Sequence, residues 1–485
     1  MFRNYLTRVF VPFVLIGLLG IAQAQNLNTL EIDDFVADAM KQHGVPGVGL
    51  AIIKDGKIIY TKGYGVRDTK TGVSVDANTL FAIGSVSKSF TALGAMQLVD
   101  AGKLSLETKV NAVLPNLKFS DTKQGAAITL QNLLSHTSGM PRADDLWYFD
   151  STVKTRADML STVEKIPFST PVGTTWQYNN QNFVIAGAML EKTTNSTWEN
   201  YTQQNIFVPL GMKRSIFKNE DAIKDGNYAQ GFQVGLSGLD VTPVFSRMEI
   251  AGPAGSIISS ASDMAQYAAF QLSKGIFNGK RIVSQNALKV MHSNQIAIPN
   301  SLLTLPGLAL PGYGLGWFNA EYRGAKFVQH SGNIDGFSAT IHFVPAKRLG
   351  IVVLSNLNGA NDFLDTINYG VTERVLGMTP RSQFQPNPLL EQLAAAQTFK
   401  PELIALKTLE GKYALVSGSN TTISFKDGQL SLGQEGQTFV MTAISPTSFM
   451  VNIQGALILL EFQIDPSGMI WLLQNGQIIG VRIAT

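Results

Sequence analysis

A serine and a lysine three residues apart could act as a nucleophile and its base. Ser85 and Lys88 lie in the stretch FAIGSVSKSF, and one helical turn would place the hydroxyl and the amine on the same face. A lysine buried among apolar neighbours loses part of its proton affinity, because burial disfavours the ammonium form. The neutral amine could accept the hydroxyl proton while the oxygen attacks a carbonyl carbon. A solvated helix start with an exposed lysine is the alternative interpretation.

The spacing alone is weak evidence, because the chain repeats it. The other pairs with this spacing are Ser120/Lys123, Ser151/Lys154 and Ser215/Lys218. They lack the small, apolar surroundings of Ser85, which follows Phe-Ala-Ile-Gly and precedes an apolar helical pattern. A helix start at Ser85 would also bring backbone N–H groups close to a developing oxyanion.

Two further motifs supply the other groups that this chemistry needs. Tyr178 and Asn180 form the only Y-x-N among the 12 tyrosines and offer a second proton-handling group and hydrogen bonds. His330 and Gly332 form the only H-x-G among the five histidines, just before a predicted strand that could line a cleft. Each residue alone also fits a structural role, so only the set indicates a hydrolytic site.

Other polar or glycine-rich stretches receive structural interpretations. His136 in SHTSGMP precedes a loop, and we expect a structural hydrogen bond to the backbone rather than catalysis. AGPAGS (251–256) lacks the lysine and the preceding strand of a phosphate-binding loop, so we expect a tight bend beside the cleft. GLALPGYGLGW (307–317) is predicted to be a loop at the cleft border.

The elements around these motifs predict an α+β domain. Residues 48–65 have the pattern of two strands joined at Asp55-Gly56, and residues 337–356 that of a second hairpin. Helical spacing follows Ser85, and residues 105–245 show mostly helical segments and loops. We therefore predict an antiparallel sheet flanked by helices, together with a helical subdomain.

The C-terminal part of the sequence has a different character. From Leu409, about eight short strands are separated by turn signals such as Asn475-Gly476, which fits a small up-and-down β-barrel or a sandwich, and we predict the barrel. We assign residues 1–24 to a signal peptide, 25–380 to the domain with the motifs, 381–404 to a proline-containing linker and 405–485 to the barrel.

The N-terminus has the pattern of a secretory signal peptide. Two arginines precede 13 mostly apolar residues, Val9 to Ile21, and an A-x-A cleavage site ends at Ala24. The apolar run is shorter than the roughly 20 residues of a membrane span. We expect export, most simply to a bacterial periplasm, with a mature chain from Gln25 and no stable membrane insertion. An uncleaved membrane anchor is the alternative.

Length, charge and composition narrow the classes of protein. A chain of 485 residues exceeds the usual size of one hydrophobic core, so two domains are expected. The formal charge of +3 becomes +1 (+3 − 2) without the two signal-peptide arginines, and no basic block indicates a nucleic-acid partner. The absence of cysteine excludes disulfides and thiolate metal sites. We expect no cofactor and no metal, since no two histidines share a helical face at ligand spacing.

The order S-x-x-K, Y-x-N, H-x-G resembles that of the serine β-lactamase and penicillin-binding-protein superfamily. The chain is most similar to the class C β-lactamase-related branch, peptidase family S12, over roughly residues 28–375. The stretches that carry the resemblance are LFAIGSVSKSFTALGAMQLVDAGKLSLETKV, LLSHTSGMP, AGPAGSIISSASDMAQY, YGLGW and HSGNIDGFSATIHFVPAKRLGIVVLSN. The tail from about residue 405 resembles the lipocalin-like domain appended to some of these hydrolases.

The resemblance implies a β-lactamase/transpeptidase-like fold and a role for each motif. Ser85 would be the acyl-accepting nucleophile, Lys88 its base or proton relay, and Tyr178 a second acid and base. Which of Lys88 and Tyr178 is the main base stays open. The backbone N–H groups of Ser85 and Asn333 would form the oxyanion hole.

The resemblance also implies the substrate contacts, with one departure. Asn180 would hydrogen-bond the substrate amide, and His330 with Gly332 stands where many members carry a K-T-G motif. A lysine there is a permanent cation, whereas histidine has a reference pKa of about 6.5 and is mostly uncharged at neutral pH. The departure lowers the expectation of efficient β-lactam hydrolysis.

We therefore expect a secreted serine hydrolase that cleaves amide or ester bonds in a small-molecule or peptide substrate. The resemblance favours the branch with H-x-G, which includes D-amino-acid-specific peptidases, esterases and related amide hydrolases, so a peptide that contains D-amino acids is one candidate. The alternatives are a class C-like β-lactamase or D-Ala-D-Ala carboxypeptidase/penicillin-binding protein, and a catalytically inactive binding homologue. The barrel could cap the site, bind an apolar ligand or mediate oligomer formation.

Overall fold

The structure is a computed structural model that describes most of the chain from residue 27 to residue 484. The described ranges are 27–148, 150–235, 238–242, 247–298, 308–381, 399–416, 418–434, 436–453, 456–474 and 477–484. The predicted signal peptide (1–24), most of the predicted linker (381–404) and the predicted Asn475-Gly476 turn lie outside them. None of the helices in these ranges is both long enough and apolar enough to cross a bilayer.

The part of the chain up to residue 381 mixes helices and strands. Its helices are α1 (Thr29–His43), α2 (Ser87–Asp100), α3 (Val110–Val113), α4 (Thr122–Ala127), α5 (Leu130–Leu134), α6 (Asp145–Tyr148), α7 (Arg156–Ser161), α8 (Asn180–Thr194), α9 (Trp198–Thr202), α10 (Val208–Leu210), α11 (Asn219–Asp225), α12 (Gly252–Gly255), α13 (Ala261–Gln271), α14 (Gln285–Met291) and α15 (Asn361–Val375). Its strands are β1 (Gly47–Lys54), β2 (Lys57–Gly65), β3 (Phe81–Ala82), β4 (Phe232–Gly235), β5 (Gly238–Val241), β6 (Ile258–Ser259), β7 (Ile276–Phe277), β8 (Lys280–Arg281), β9 (Leu308–Tyr313), β10 (Phe318–Tyr322), β11 (Ala325–Ile334), β12 (Phe337–Val344) and β13 (Leu349–Ser355).

Seven of these strands form one sheet in the order β2-β1-β13-β12-β11-β10-β9. Every neighbouring pair is antiparallel. The sheet pairs the first strands of this part of the chain with its last strands, as the sequence predicts. Asp55 and Gly56 turn the β1–β2 hairpin with φ of 53° and 77°, the positive values that such a two-residue turn requires.

The sheet separates two hydrophobic cores because side chains alternate between its faces. In β1, Ala51 and Ile53 belong to the core that contains α2 and α13. Leu50 and Ile52 belong to the core on the other face, which contains α1 and α15. This layering is the predicted α+β architecture, with helices on both faces of an antiparallel sheet.

Two local expectations differ from the structure. Residues 105–245 are mostly helices and loops, but they also contain the short β4–β5 hairpin, which pairs Phe232 with Val241. The segment 307–317 is not only a loop, since its residues 308–313 form β9, the edge strand of the main sheet. Proline and glycines within this segment hide the strand, because proline is tolerated only at sheet edges and bulges.

The C-terminal part forms a closed barrel of eight antiparallel strands, which is the predicted architecture. A short helix, α16 (Leu403–Thr408), precedes it. The barrel strands are β14 (Gly411–Leu415), β15 (Asn420–Lys426), β16 (Gln429–Gln434), β17 (Gln437–Ala443), β18 (Ser448–Ile453), β19 (Ala456–Ile464), β20 (Ile470–Gln474) and β21 (Gln477–Ala484). Its interior holds packed apolar side chains, including Tyr413, Phe449 and Phe462.

The barrel packs against the first part of the chain at two places. Met450 and Ile444 of the barrel join the hydrophobic core that contains Phe232 and Val234. The Ser419 hydroxyl donates to an Asp145 carboxylate oxygen at 2.5 Å. The barrel is therefore attached to the first residue of α6. The loop that ends one residue earlier approaches the pair Ser85 and Lys88.

Candidate active site

Ser85 lies on a tight helical turn, Gly84–Val86, that leads directly into α2. Gly84 has φ of +49°, a left-handed conformation that glycine adopts without a side-chain penalty. The turn packs against β11, since a Cβ on Gly84 would lie 3.1 Å from the Asn333 nitrogen. The Ser85 side chain is thereby held at the start of α2, on the face that meets the sheet.

The Lys88 side chain is completely buried in the first turn of α2. Its Nζ lies 2.8 Å from each of three oxygens: Ser85 Oγ, Asn180 Oδ1 and the Ala254 carbonyl. The last two can only accept hydrogen bonds, so they take the two N–H groups of a neutral amine. The lone pair of that amine then faces the Ser85 hydroxyl, which can donate.

Burial and charge both favour this neutral form. Burial, and secondarily the charge of Arg142, lower the pKa of Lys88 well below its usual value, while Asp144 opposes this shift. The arrangement can therefore remove a proton from Ser85 Oγ as that oxygen attacks an electrophile.

Asn180, the first residue of α8, has its amide orientation fixed by a charged partner. Its Nδ2 donates to both carboxylate oxygens of Asp144 at 3.0 Å, which leaves Oδ1 facing Lys88. Asp144 is held in turn by Arg142 Nε at 2.6 Å and by Trp147 Nε1 at 3.1 Å. A chain of hydrogen bonds thus runs from Arg142 to the amine of Lys88.

Sequence reasoning missed Arg142 and Asp144. Both come directly after the stretch LLSHTSGMP. The R-x-D spacing after this motif is the signal that could have indicated them. The Arg142 side chain is 56% exposed, and its guanidinium carbon lies 5.9 Å from the centre of the Tyr178 ring. It is a cation beside Tyr178 that can contact a bound molecule.

Tyr178 lies beside both Ser85 and Lys88. A hydrogen bond links its hydroxyl to Ser85, and its ring centre is 4.9 Å from Lys88 Nζ. Burial raises the pKa of Tyr178 above its usual value, although the Ser85 hydrogen bond and Arg142 oppose the shift. The phenol is therefore protonated and can donate its proton to a departing atom.

His330 lies on β11 with both ring nitrogens engaged. Nδ1 lies 2.6 Å from the Ser331 carbonyl, which can only accept, so Nδ1 carries the hydrogen. Nε2 then accepts from the Tyr313 hydroxyl at 3.1 Å. Burial, and secondarily Lys88, lower the pKa of His330 to about 3, against the Ser331 hydrogen bond. His330 is therefore an uncharged side chain that lines the site. Tyr313, the second hydrogen-bond partner of its ring, is a residue that the sequence did not indicate.

Gly332 allows β11 to touch the turn that holds Ser85. A Cβ on Gly332 would lie 2.1 Å from the Ile83 carbonyl oxygen and 2.7 Å from the Ser85 nitrogen. The predicted oxyanion donors, the backbone N–H groups of Ser85 and Asn333, therefore belong to backbone segments in direct contact. Glycine is required here because a side chain would separate them.

The structure brings all the predicted site residues into one cluster and leaves the other serine–lysine pairs outside it. Ser215 is buried in hydrogen bonds to Asp263 and Ser259. Ser120 donates to the Ile166 carbonyl instead of meeting an amine. Across the described ranges, no group of three or more His, Asp or Glu side chains is arranged to hold a metal ion.

Comparison with known proteins gives a family and several relatives. The family model described as Beta-lactamase matches residues 32–375. The chain is 29% identical over 394 residues to "Unguisins hydrolase ungD'" of Aspergillus campestris, with 76% of this chain and 72% of that protein covered. It is 29% identical over 367 residues to "Penicillin-binding protein 4" of Amycolatopsis lactamdurans, with 72% and 91% covered.

A solved structure has the same overall arrangement. The octameric penicillin-binding protein homologue from Pyrococcus abyssi is 25% identical, with a TM-score of 0.65. That match covers 94% of this chain and 100% of the other, so it extends over the C-terminal barrel as well.

Proposed function

The chain belongs to the beta-lactamase family of serine hydrolases, and we propose that it cleaves an amide or ester bond through an acyl-enzyme on Ser85. The observation that carries the proposal is the environment of Lys88. Its buried amine has two partners that only accept hydrogen bonds and a third, Ser85 Oγ at 2.8 Å, that can donate. This pattern suits a base poised to take the serine proton.

In the proposed acylation, Lys88 Nζ takes the Ser85 proton while Oγ bonds to the substrate carbonyl carbon. The carbonyl oxygen becomes an oxyanion beside the backbone N–H groups of Ser85 and Asn333, which stabilise its charge. Tyr178 donates its phenol proton to the leaving nitrogen or oxygen as the old bond breaks. The proton on Lys88 then restores the phenol.

In the proposed deacylation, water replaces the departed group. The same pair of side chains removes one water proton as its oxygen attacks the acyl carbon, and the second tetrahedral intermediate uses the same oxyanion donors. The Ser85 Oγ–carbon bond breaks, Oγ recovers a proton, and the acid product leaves. The net reaction consumes one water for each bond cleaved.

We propose a peptide that contains D-amino acids as the substrate, with small esters as the alternative within the same chemistry. His330 supports this choice, because a neutral imidazole with both nitrogens engaged offers no permanent charge to a substrate carboxylate. One relative is named as a hydrolase of unguisins, which supports hydrolysis as the reaction.

A class C-like β-lactamase or D-Ala-D-Ala carboxypeptidase is the second candidate. The exposed guanidinium of Arg142 favours it, because this cation could pair with a substrate carboxylate in place of the expected lysine. The similarity to a penicillin-binding protein supports the same candidate. Rapid turnover of nitrocefin would favour a β-lactamase, and slow stoichiometric acylation would favour a penicillin-binding protein.

Intact-protein mass spectrometry after exposure to activated esters, D-peptide amides and labelled penicillin tests these proposals. We expect an adduct on Ser85 that is absent in Ser85→Ala and forms more slowly in Lys88→Ala. An adduct that persists in Ser85→Ala would contradict the proposed nucleophile. No adduct from any probe would favour the inactive binding homologue.

We also propose that the protein is exported, on the evidence of its N-terminal sequence. N-terminal sequencing of protein from a periplasmic or culture fraction should begin at Gln25. A start at Met1 in a membrane fraction would favour the uncleaved anchor instead.

A further inference from the structure

His136 contacts the chain on both sides of Tyr178. Its carbonyl oxygen accepts from the Gln177 N–H at 2.8 Å. Its Nδ1 accepts from the Asn179 N–H at 3.2 Å. The imidazole also packs on the phenol, with 4.3 Å between the ring centres. His136 therefore bonds to the backbone before and after Tyr178 and packs on one face of the Tyr178 ring.

The His136 backbone is fixed in an uncommon conformation. Its φ is +58°, in the left-handed region that residues other than glycine seldom adopt. The following loop is tied down as well, since Thr137 O accepts from the Gly173 N–H at 2.8 Å and Gly139 O accepts from the Ser169 N–H at 3.0 Å. Such strain persists where the surroundings fix the conformation, and it is often found at functional sites.

The hydrogen bonds also determine the protonation state of His136. Because Nδ1 accepts a hydrogen bond, the neutral ring carries its hydrogen on Nε2. The side chain is fully buried, and Nε2 has no hydrogen-bond partner among the described residues. Burial lowers the pKa of His136 well below its usual value, and Lys88, His330 and Arg142 add to the shift. His136 thus stays a neutral acceptor at neutral pH.

Direct catalysis by His136 does not fit this geometry. Its one lone pair already accepts from Asn179, and Ser85 has Lys88 and Tyr178 as partners. A purely structural buried histidine, however, would not need to bracket one residue of the site on both sides. The contacts fit a role that acts through Tyr178.

We propose that His136 is a positioning residue that holds the Tyr178 hydroxyl against Ser85. The role rests on the proposed acyl-enzyme function and adds to it the group that aligns the proton donor. Two features of His136 produce this role: the hydrogen-bond acceptor at Nδ1 and the left-handed backbone conformation.

Asparagine and glycine at position 136 separate the two components of this role. Asparagine tolerates positive φ and places Oδ1 where histidine has Nδ1, so His136→Asn keeps the acceptor. Glycine keeps the backbone conformation but has no acceptor. We expect kcat for ester hydrolysis within about threefold of wild type in His136→Asn and about 10- to 100-fold lower in His136→Gly, with KM changed less than about threefold.

A double-mutant cycle with Tyr178→Phe shows whether His136 acts through the phenol. We expect His136→Gly to slow the Tyr178→Phe enzyme by less than about twofold, because the group that it positions is already absent. If the two losses multiply, or if His136→Asn is as slow as His136→Gly, the proposal is wrong. Should His136→Gly not fold, His136→Gln replaces it, since its oxygen lies one bond too far out.

A spectroscopic measurement keeps this proposal distinct from the hydrolytic function. With 3-fluorotyrosine at position 178, we expect one sharp ¹⁹F resonance in wild type and His136→Asn, and a broadened or split one in His136→Gly. The result applies even to a protein that forms no Ser85 adduct, which would contradict the hydrolytic function alone. An unchanged resonance in His136→Gly would overturn the positioning role.

His43→Asn is the matched control for loss of a buried histidine. His43 is 1% exposed and lies on α1, where its ring packs on Phe363 of the core that contains α1 and α15. Its replacement should lower Tm without changing kcat. A similar fall in kcat for His43→Asn and His136→Gly would show a general loss of packing and contradict the proposal.

Discussion

Lys88 and His330 are two buried bases of the candidate active site that differ in their hydrogen-bond partners. The Lys88 amine faces two oxygens that only accept and one hydroxyl that can donate. His330 donates through Nδ1 and accepts through Nε2, so its lone pair already has a donor in Tyr313. Burial lowers the pKa of both groups. The partners, rather than the burial, determine which base can take a proton from Ser85.

Replacement of Lys88 tests the reactive base of this comparison and should have the largest effect on the rate of acylation. Lys88→Ala removes the acceptor of the Ser85 proton, and we expect acylation of Ser85 to slow by about 10³-fold or more. Rapid-quench mass spectrometry with an activated ester measures the rate. Lys88→Met is the control, because it keeps the apolar stem and should lose activity equally. A loss below tenfold would assign the proton to Tyr178 or to water.

Replacement of Asp144 tests what keeps the Lys88 amine oriented. Asp144→Ala frees the Asn180 amide to rotate, so Oδ1 no longer holds one N–H of Lys88, and we expect kcat to fall about 10- to 100-fold. Asp144→Asn retains one acceptor and should lose less. Steady-state kinetics with a small ester measures both variants.

The neighbouring Asp145 supplies the control for Asp144. Its carboxylate accepts a hydrogen bond from Ser419 of the barrel. Asp145→Ala should therefore change kcat by less than about threefold. Equal losses in Asp144→Ala and Asp145→Ala would indicate a general disturbance of this loop.

The sequence predicted the parts of this architecture that depend on local patterns. The Asp55-Gly56 turn and the closely spaced strands after residue 409 carry their own signals, and both were found. The order of three short motifs placed Ser85, Tyr178 and His330 in one site. Each of these signals lies within a few consecutive residues.

What the sequence could not predict depends on contacts between distant segments. Tyr313 meets His330 only because β9 forms the sheet edge, and the proline and the glycine of that strand favoured a loop. Asp144 acquires its role from a helix that begins 36 residues later, at Asn180. His136 was predicted to bond to backbone, but the identity of that backbone, on both sides of Tyr178, required the fold.

His330, the unreactive base of the comparison, should affect the free energy of unfolding rather than the rate of acylation. An unfolded histidine titrates near 6.5, whereas burial lowers the pKa of folded His330 to about 3. Between these values the folded state binds fewer protons, so the contribution of His330 is fully present above pH 6.5 and is lost as the pH falls toward 3. At pH 5.5 the loss from this residue is about 1.4 kcal/mol.

Replacement of His330 by glutamine should remove this contribution and have only a small effect on catalysis. His330→Gln retains an acceptor for the Tyr313 hydroxyl but cannot titrate, so its free energy of unfolding should decrease less than that of wild type between pH 7.5 and pH 5.5. Urea unfolding at the two pH values measures the difference, expected to be about 1.4 kcal/mol. Ser85 acylation should stay within about fivefold of wild type. An equal pH dependence in both proteins would show that His330 carries a proton in the folded site. A hundredfold slower acylation would show that His330 takes part in the reaction, and either result would end its contrast with Lys88.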